Sequence, residues 1–109
     1  MQNLDERVEK AINYLAETDE PAANAKMRYH DLDSQTKTIE ALEFKKLPKA
    51  GMTIPDREAE VYTSEAYINH HKKVYDAMLD FEIYRNRRST AEIIVEYWRS
   101  MSANKRQGA

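Results

Sequence analysis

Apolar residues recur along most of this chain at intervals of three and four, the signature of helices that each bury one stripe. The pattern is longest in the second half, where Asp56 to Gln107 contains neither glycine nor proline. There Tyr67, His70, Val74, Ala77, Phe81, Tyr84, Arg88, Ala91, Val95 and Trp98 take successive a and d positions of a heptad repeat, predicting one very long helix. The first half is shorter-grained. Asn3 with Glu6 forms a capping box, and Leu4, Val8, Ala11, Ile12 and Leu15 predict a helix over about 4–17. Thr18-Asp19-Glu20-Pro21 then interrupts, because proline is tolerated in a first turn but not in a helix interior. Thr18 or Asp19 is expected to cap a second helix there, or the chain to kink. That second helix is predicted over about 20–47, with a seam of Ala22, Ala25, Tyr29, Leu32, Thr36, Ile39 and Leu42 or Glu43.

Three of the five strong helix punctuators, Pro48, Gly51 and Pro55, fall close together in the middle. They mark a hinge. After it, Thr53 sets up a short helix from about Pro55 through Val61, and Thr63 or Ser64 offers a cap, with Glu65 in the following first turn. The expected fold is therefore all-α: one domain built as a long antiparallel helical hairpin, coiled-coil-like. Arm one spans 3–47 and is kinked, the hinge 48–55, arm two 56–105, with a frayed tail at 106–109. At the helical rise per residue both arms come to roughly 60 Å, the match a hairpin needs.

Arm two carries a second stripe: Ile68, Tyr75, Leu79, Ile83, Ile94, Tyr97 and Met101. A helix apolar on two sides needs more than one neighbour. These seven residues are the candidate interface with a second copy or another protein, and a dimeric helical bundle is the expected assembly. Tyr67, Val74, Phe81, Tyr84, Arg88, Val95 and Trp98 form the hairpin seam.

Composition agrees with thin helical layers. Apolar residues make up 41 % and charged residues 33 %, with a mean hydropathy of −0.85, too polar for a thick core and too regular for disorder. There is no cysteine, which excludes disulfides and thiolate zinc sites. No apolar run approaches a bilayer span, and the sequence MQNLDERVEK has no signal-peptide character. A cytoplasmic protein is expected.

The net charge of −2 hides an asymmetry. Residues 1–62 carry thirteen Asp/Glu against nine Lys/Arg, and residues 63–109 carry six against eight. Tyr84-Arg85-Asn86-Arg87-Arg88-Ser89 concentrates the basic charge. Arg88 falls on the seam, where burial demands a carboxylate, and Glu40 or Glu43 on the facing arm is the expected partner. Arg85, Arg87, Arg99, Lys105 and Arg106 remain as candidate nucleic-acid-binding residues, since a phosphate patch needs cations free of partners. Tyr97 and Trp98 would add stacking surface. Against this, Asp80, Glu82, Glu92 and Glu96 dilute the potential.

Catalytic signatures are missing from the sequence. His70 and His71 point about 100° apart on a helix and cannot grip one metal as an i, i+4 pair does. His30, Asp31 and Asp33 diverge in the same way. No Gly-rich phosphate loop, nucleophile elbow or metalloprotease pattern occurs. We expect no enzymatic activity, no metal and no cofactor.

Several segments together resemble a family of small helical proteins from tailed phages and prophages. They are Tyr14-Leu15-Ala16-Glu17-Thr18-Asp19-Glu20-Pro21-Ala22-Ala23, then Asp56-Arg57-Glu58-Ala59 with Ser64 and Tyr67. Ala91-Glu92-Ile93-Ile94-Val95-Glu96-Tyr97-Trp98-Arg99-Ser100, leading to Asn104 and Arg106, completes the set. The resemblance implies gene neighbourhoods holding strand-annealing recombinases and single-strand binding proteins, and the cytoplasm of a bacterial host. The leading expectation is a non-enzymatic accessory protein acting by helical contact in DNA replication or recombination, binding a partner protein, single- or double-stranded DNA, or both. One alternative is an inhibitor of a host enzyme whose acidic arm, through Asp5, Glu6, Glu9, Glu17, Asp19 and Glu20, imitates nucleic acid. Another is a purely structural assembly protein.

Overall fold

A computed structural model describes residues 3–48 and 50–108, and every regular element among them is helical. The elements are α1 (Leu4–Ser34), α2 (Thr36–Lys45), α3 (Ile54–Tyr62) and α4 (Glu65–Gly108). Helix starts lie where a side chain can take up an unpaired amide. Asn3 Oδ1 accepts from the Glu6 amide at 2.8 Å, Thr53 Oγ1 from Asp56 at 3.3 Å and Ser64 Oγ from Tyr67 at 3.3 Å. Between α2 and α3 the chain turns through Gly51, whose φ of +89° is the left-handed conformation that a side chain disfavours.

The chain divides into two compact units. One comprises residues 3–24 with 81–108, and the other is Ala25–Asp80. In the first, the beginning of α1 runs antiparallel to the end of α4 over a core of Val8, Ala11 and Ala91. Arg88 crosses this seam. Its guanidinium donates to the Leu15 carbonyl at 2.9 Å, to Thr18 Oγ1 at 2.8 Å and to Asp19 Oδ1 at 3.3 Å. Near the chain ends the Trp98 indole N–H donates to Asp5 Oδ1 at 3.2 Å, and Trp98 sits at the rim of the seam with a third of its surface exposed.

In the second unit the end of α1 and all of α2 run antiparallel to the start of α4. Ala77 is 1 % exposed and His70 only 6 %. His70 Nε2 meets Thr36 Oγ1 at 3.0 Å, so the imidazole enters the seam with a hydrogen-bond partner. Helix α3 packs on α2 through buried Val61 and through Arg57, whose guanidinium lies 4.1 Å from the centre of the Phe44 ring. Each unit thus sets one threonine against one basic residue of α4, Thr18 against Arg88 and Thr36 against His70.

Four expectations need correction. The first arm is bent, as expected, but no new helix begins at Thr18–Pro21: α1 continues through Pro21 to Ser34, and the break in the helix falls at Gln35. Thr18 cannot cap a new helix because its hydroxyl donates back to the Tyr14 carbonyl at 2.6 Å while accepting from Arg88. Pro21 and Glu17, whose carbonyl loses its partner to the proline, are both exposed, and the half-buried seam residues Thr18, Ala22 and Ala25 continue beside them. The missing hydrogen bond is thus left to water. At Gln35 the helix yields because polar side chains compete for its backbone. Ser34 Oγ donates to the Asp31 carbonyl at 2.7 Å and Gln35 Nε2 to Asp31 Oδ2 at 3.2 Å.

Arg88, secondly, is partnered by Asp19 rather than by Glu40 or Glu43. The register opposes Arg88 to Thr18, one residue before that carboxylate, and Glu43 pairs instead with Lys46 at 3.2 Å. Thirdly, the helix expected to fray from residue 106 runs on to Gly108. Lys105 and Arg106 in its last turn complement the negative end of the dipole. The hinge is also shorter at its far end, since Ile54 and Pro55 already belong to α3. Lys49 within it and Ala109 at the end lie outside the described residues.

Candidate functional site

Packing of the seam uses one face of α4 and leaves another uncovered. In the unit formed by Ala25–Asp80, Ile68, Tyr75 and Leu79 face solvent, Tyr75 at 60 % and Leu79 at 49 % exposure. In the other unit Ile83, Tyr97 and Met101 do so, Tyr97 at 57 %. Ile94, the seventh residue of the expected interface stripe, is half-buried. Of the seam set, Tyr67, Val74, Phe81, Tyr84, Arg88 and Val95 are half-buried, as a and d positions require.

The five candidate nucleic-acid residues separate into groups. Arg85 is held by Glu82 at 3.4 Å and Arg99 by Glu96 at 3.0 Å, both carboxylates one turn earlier on the same helix. Such exposed i, i+3 pairs are weak but neutralise local charge. Arg106 donates only to the Ser102 carbonyl, and Lys105 has no ion pair among the described residues. Arg87 differs from all of these. It lines a groove of about 450 Å³ within the first unit, together with Arg7 and Lys10 from α1.

That groove has a distinct chemistry. Its apolar surface comes from Ala11, Ala91 and Ile94, and Asn86 and Thr90 add polar groups from α4. Tyr14 lines it too, with a hydroxyl that is buried and meets no partner among the described residues. An unmet buried polar group of that kind costs about 1–3 kcal/mol. Arg7, Lys10 and Arg87 form no ion pair among the described residues, and no carboxylate lines the groove. Sequence reasoning selected Arg87 but missed Arg7 and Lys10. The signal was present, since Arg7, Lys10 and Tyr14 at i, i+3 and i+7 share a helix face bordering the seam positions Val8, Ala11 and Leu15.

The histidines do not converge. His70 is in the seam with Thr36, whereas His71 is exposed and stacks on Tyr67 with ring centres 5.7 Å apart. No group of three potential metal ligands gathers among the described residues. A second groove, of about 510 Å³, lies between α2 and α3 and is lined by Phe44, Val61 and Tyr62 with Glu40 and Glu58. The Glu40 carboxylate there raises the Tyr62 phenol above its ordinary pKa, with burial and then Glu58 and Tyr67 adding to the shift. On the acidic arm Asp5 and Asp19 are committed to Trp98 and Arg88, which removes two of the six carboxylates a nucleic-acid mimic would display.

Among the described residues no helix is long and apolar enough to cross a membrane. No protein-family model matches this chain, and no match is found among curated proteins or solved structures.

Proposed function

We propose that this chain is a non-enzymatic binding protein whose hairpin presents the outward face of α4 to a second copy of itself. The observation that carries the reading is the large apolar side chains that α4 leaves exposed in each unit, Tyr75 and Leu79 in one and Tyr97 in the other. Surface apolar residues scattered singly need no explanation, but large ones at helical spacing, as Tyr75 and Leu79 are, support a contact face. The resemblance to small phage proteins supplies the setting, DNA replication or recombination in a bacterial host. Light scattering over a concentration series tests the assembly. The expected result is a dimer mass that falls to that of one chain in Leu79→Glu with Tyr97→Glu, with helicity retained. A single-chain mass at all concentrations in the parent protein would sink the reading.

A second reading, direct DNA contact, is favoured by Lys105 and Arg106, which project from the last turn of α4 without carboxylate partners among the described residues. Anisotropy of labelled oligonucleotides should then show affinity that falls steeply with salt. Charge reversal at Lys105 and Arg106 should abolish it, whereas reversal at Arg85 should change it little.

A further inference from the structure

We propose that the groove walled by Arg7, Lys10 and Arg87 is a docking site for an acidic peptide segment carrying one apolar anchor side chain. The inference goes beyond self-association through α4, and it rests on what the groove offers. Its cations come from both walls, two from α1 and one from α4, and none is neutralised by a carboxylate among the described residues. Its floor of Ala11, Ala91 and Ile94 is aliphatic. Its volume of about 450 Å³ holds a large side chain with the backbone that bears it.

Charge complementarity and the floor together select the occupant. An isolated phosphate or carboxylate would satisfy the cations but leave the aliphatic floor wet. A single strand of nucleic acid would bring its phosphates to the cations, but its bases bind by stacking on flat aromatic faces. Tyr14 is the one aromatic residue in the wall, and its hydroxyl end is buried. A peptide with Asp or Glu flanking a Leu, Ile or Phe meets both demands. The apolar side chain covers Ala11, Ala91 and Ile94, and the carboxylates reach Arg7, Lys10 and Arg87. Bidentate pairing favours the two arginines as the anchoring cations.

The test is selection of short random peptides displayed against the full chain, followed by affinity measurement with the enriched peptides. The expected result is enrichment of acidic residues beside one large apolar residue. Affinity should drop at least about tenfold, some 1.4 kcal/mol, in Arg87→Glu and again in Thr90→Trp, which fills the groove without changing charge. Circular dichroism must show both variants as helical as the parent. If either loses helicity, Arg7→Gln with Lys10→Gln, both on the surface of α1, takes its place with the same expectation. Neutral or basic consensus peptides would overturn the proposal, as would acidic peptides that bind the variants as tightly as the parent. Binding of oligothymidylate that the same variants abolish, with no acidic peptide enriched, would reassign the groove to nucleic acid. Light scattering on Arg87→Glu separates this site from self-association, since the dimer mass is expected to persist in that variant.

Discussion

The two units solve the same problem, a basic side chain inside a helical seam, in opposite ways. In residues 3–24 with 81–108 the intruder is Arg88, which can never shed its charge. The seam answers with three acceptors, the Leu15 carbonyl, Thr18 Oγ1 and Asp19 Oδ1, and leaves the group only half-buried. In Ala25–Asp80 it is His70, which can be neutral, and a single contact with Thr36 Oγ1 accompanies burial to 6 % exposure. A threonine stands opposite each base. The charge that cannot be removed stays at the half-buried edge of its seam, and the groove beside Ala91 lies in that same unit. In the unit of His70 the seam encloses Ala77 to 1 % exposure.

The small residues offer the most forceful way to break this contrast. Ala77→Leu should cost about 3 kcal/mol, since a fully enclosed site has no room for added methylenes. Ala91→Leu, with the groove to expand into, should cost about 1 kcal/mol. Equal shifts in the denaturation midpoints of the two variants would refute the difference in closure. Next comes Arg88→Ala, expected to destabilise by about 2 kcal/mol through the loss of charge-assisted hydrogen bonds and of the packed stem. Thr36→Val should cost about 1 kcal/mol by leaving His70 without its partner, and adding His70→Leu should recover most of that loss. A double variant weaker than the single would show that the polar pair is itself stabilising. Smallest is Asp19→Asn. Its carboxylate is exposed, so removing the ion pair should cost no more than about 0.5 kcal/mol, and less at high salt. A larger effect would make Asp19 the anchor of the Arg88 layer.

Much of this architecture was written in the heptads. The caps at Asn3, Thr53 and Ser64 and the seam from Tyr67 to Val95 follow from local rules, because each depends on residues within one or two turns. Pro21 signalled a bend in the first arm but not whether the helix would break there. A proline penalty is local, but whether it breaks a helix depends on which side faces water, and that is fixed by the partner arm. The Arg88 partner was out of reach without the register, since the choice among Asp19, Glu40 and Glu43 turns on a pairing that spans most of the chain. The basic groove was legible only in halves. Arg87 stood out in a run of arginines, but Arg7 and Lys10 looked like an ordinary solvated face until α4 was laid beside them.

The pairing also sets an order of events during synthesis. Thr36 and His70 are 34 residues apart, whereas Arg88 reaches back 70 residues to Thr18 and Trp98 reaches back 93 to Asp5. Closing longer loops costs more entropy, and a chain emerging from the ribosome can use only what has already been made. Ala25–Asp80 therefore has all its partners while the last helix is still being translated. Residues 3–24 are made well before residues 81–108 and must wait for them before Val8 and Ala11 are covered. For that interval the face that bears Val8 and Ala11 is the one in need of a chaperone.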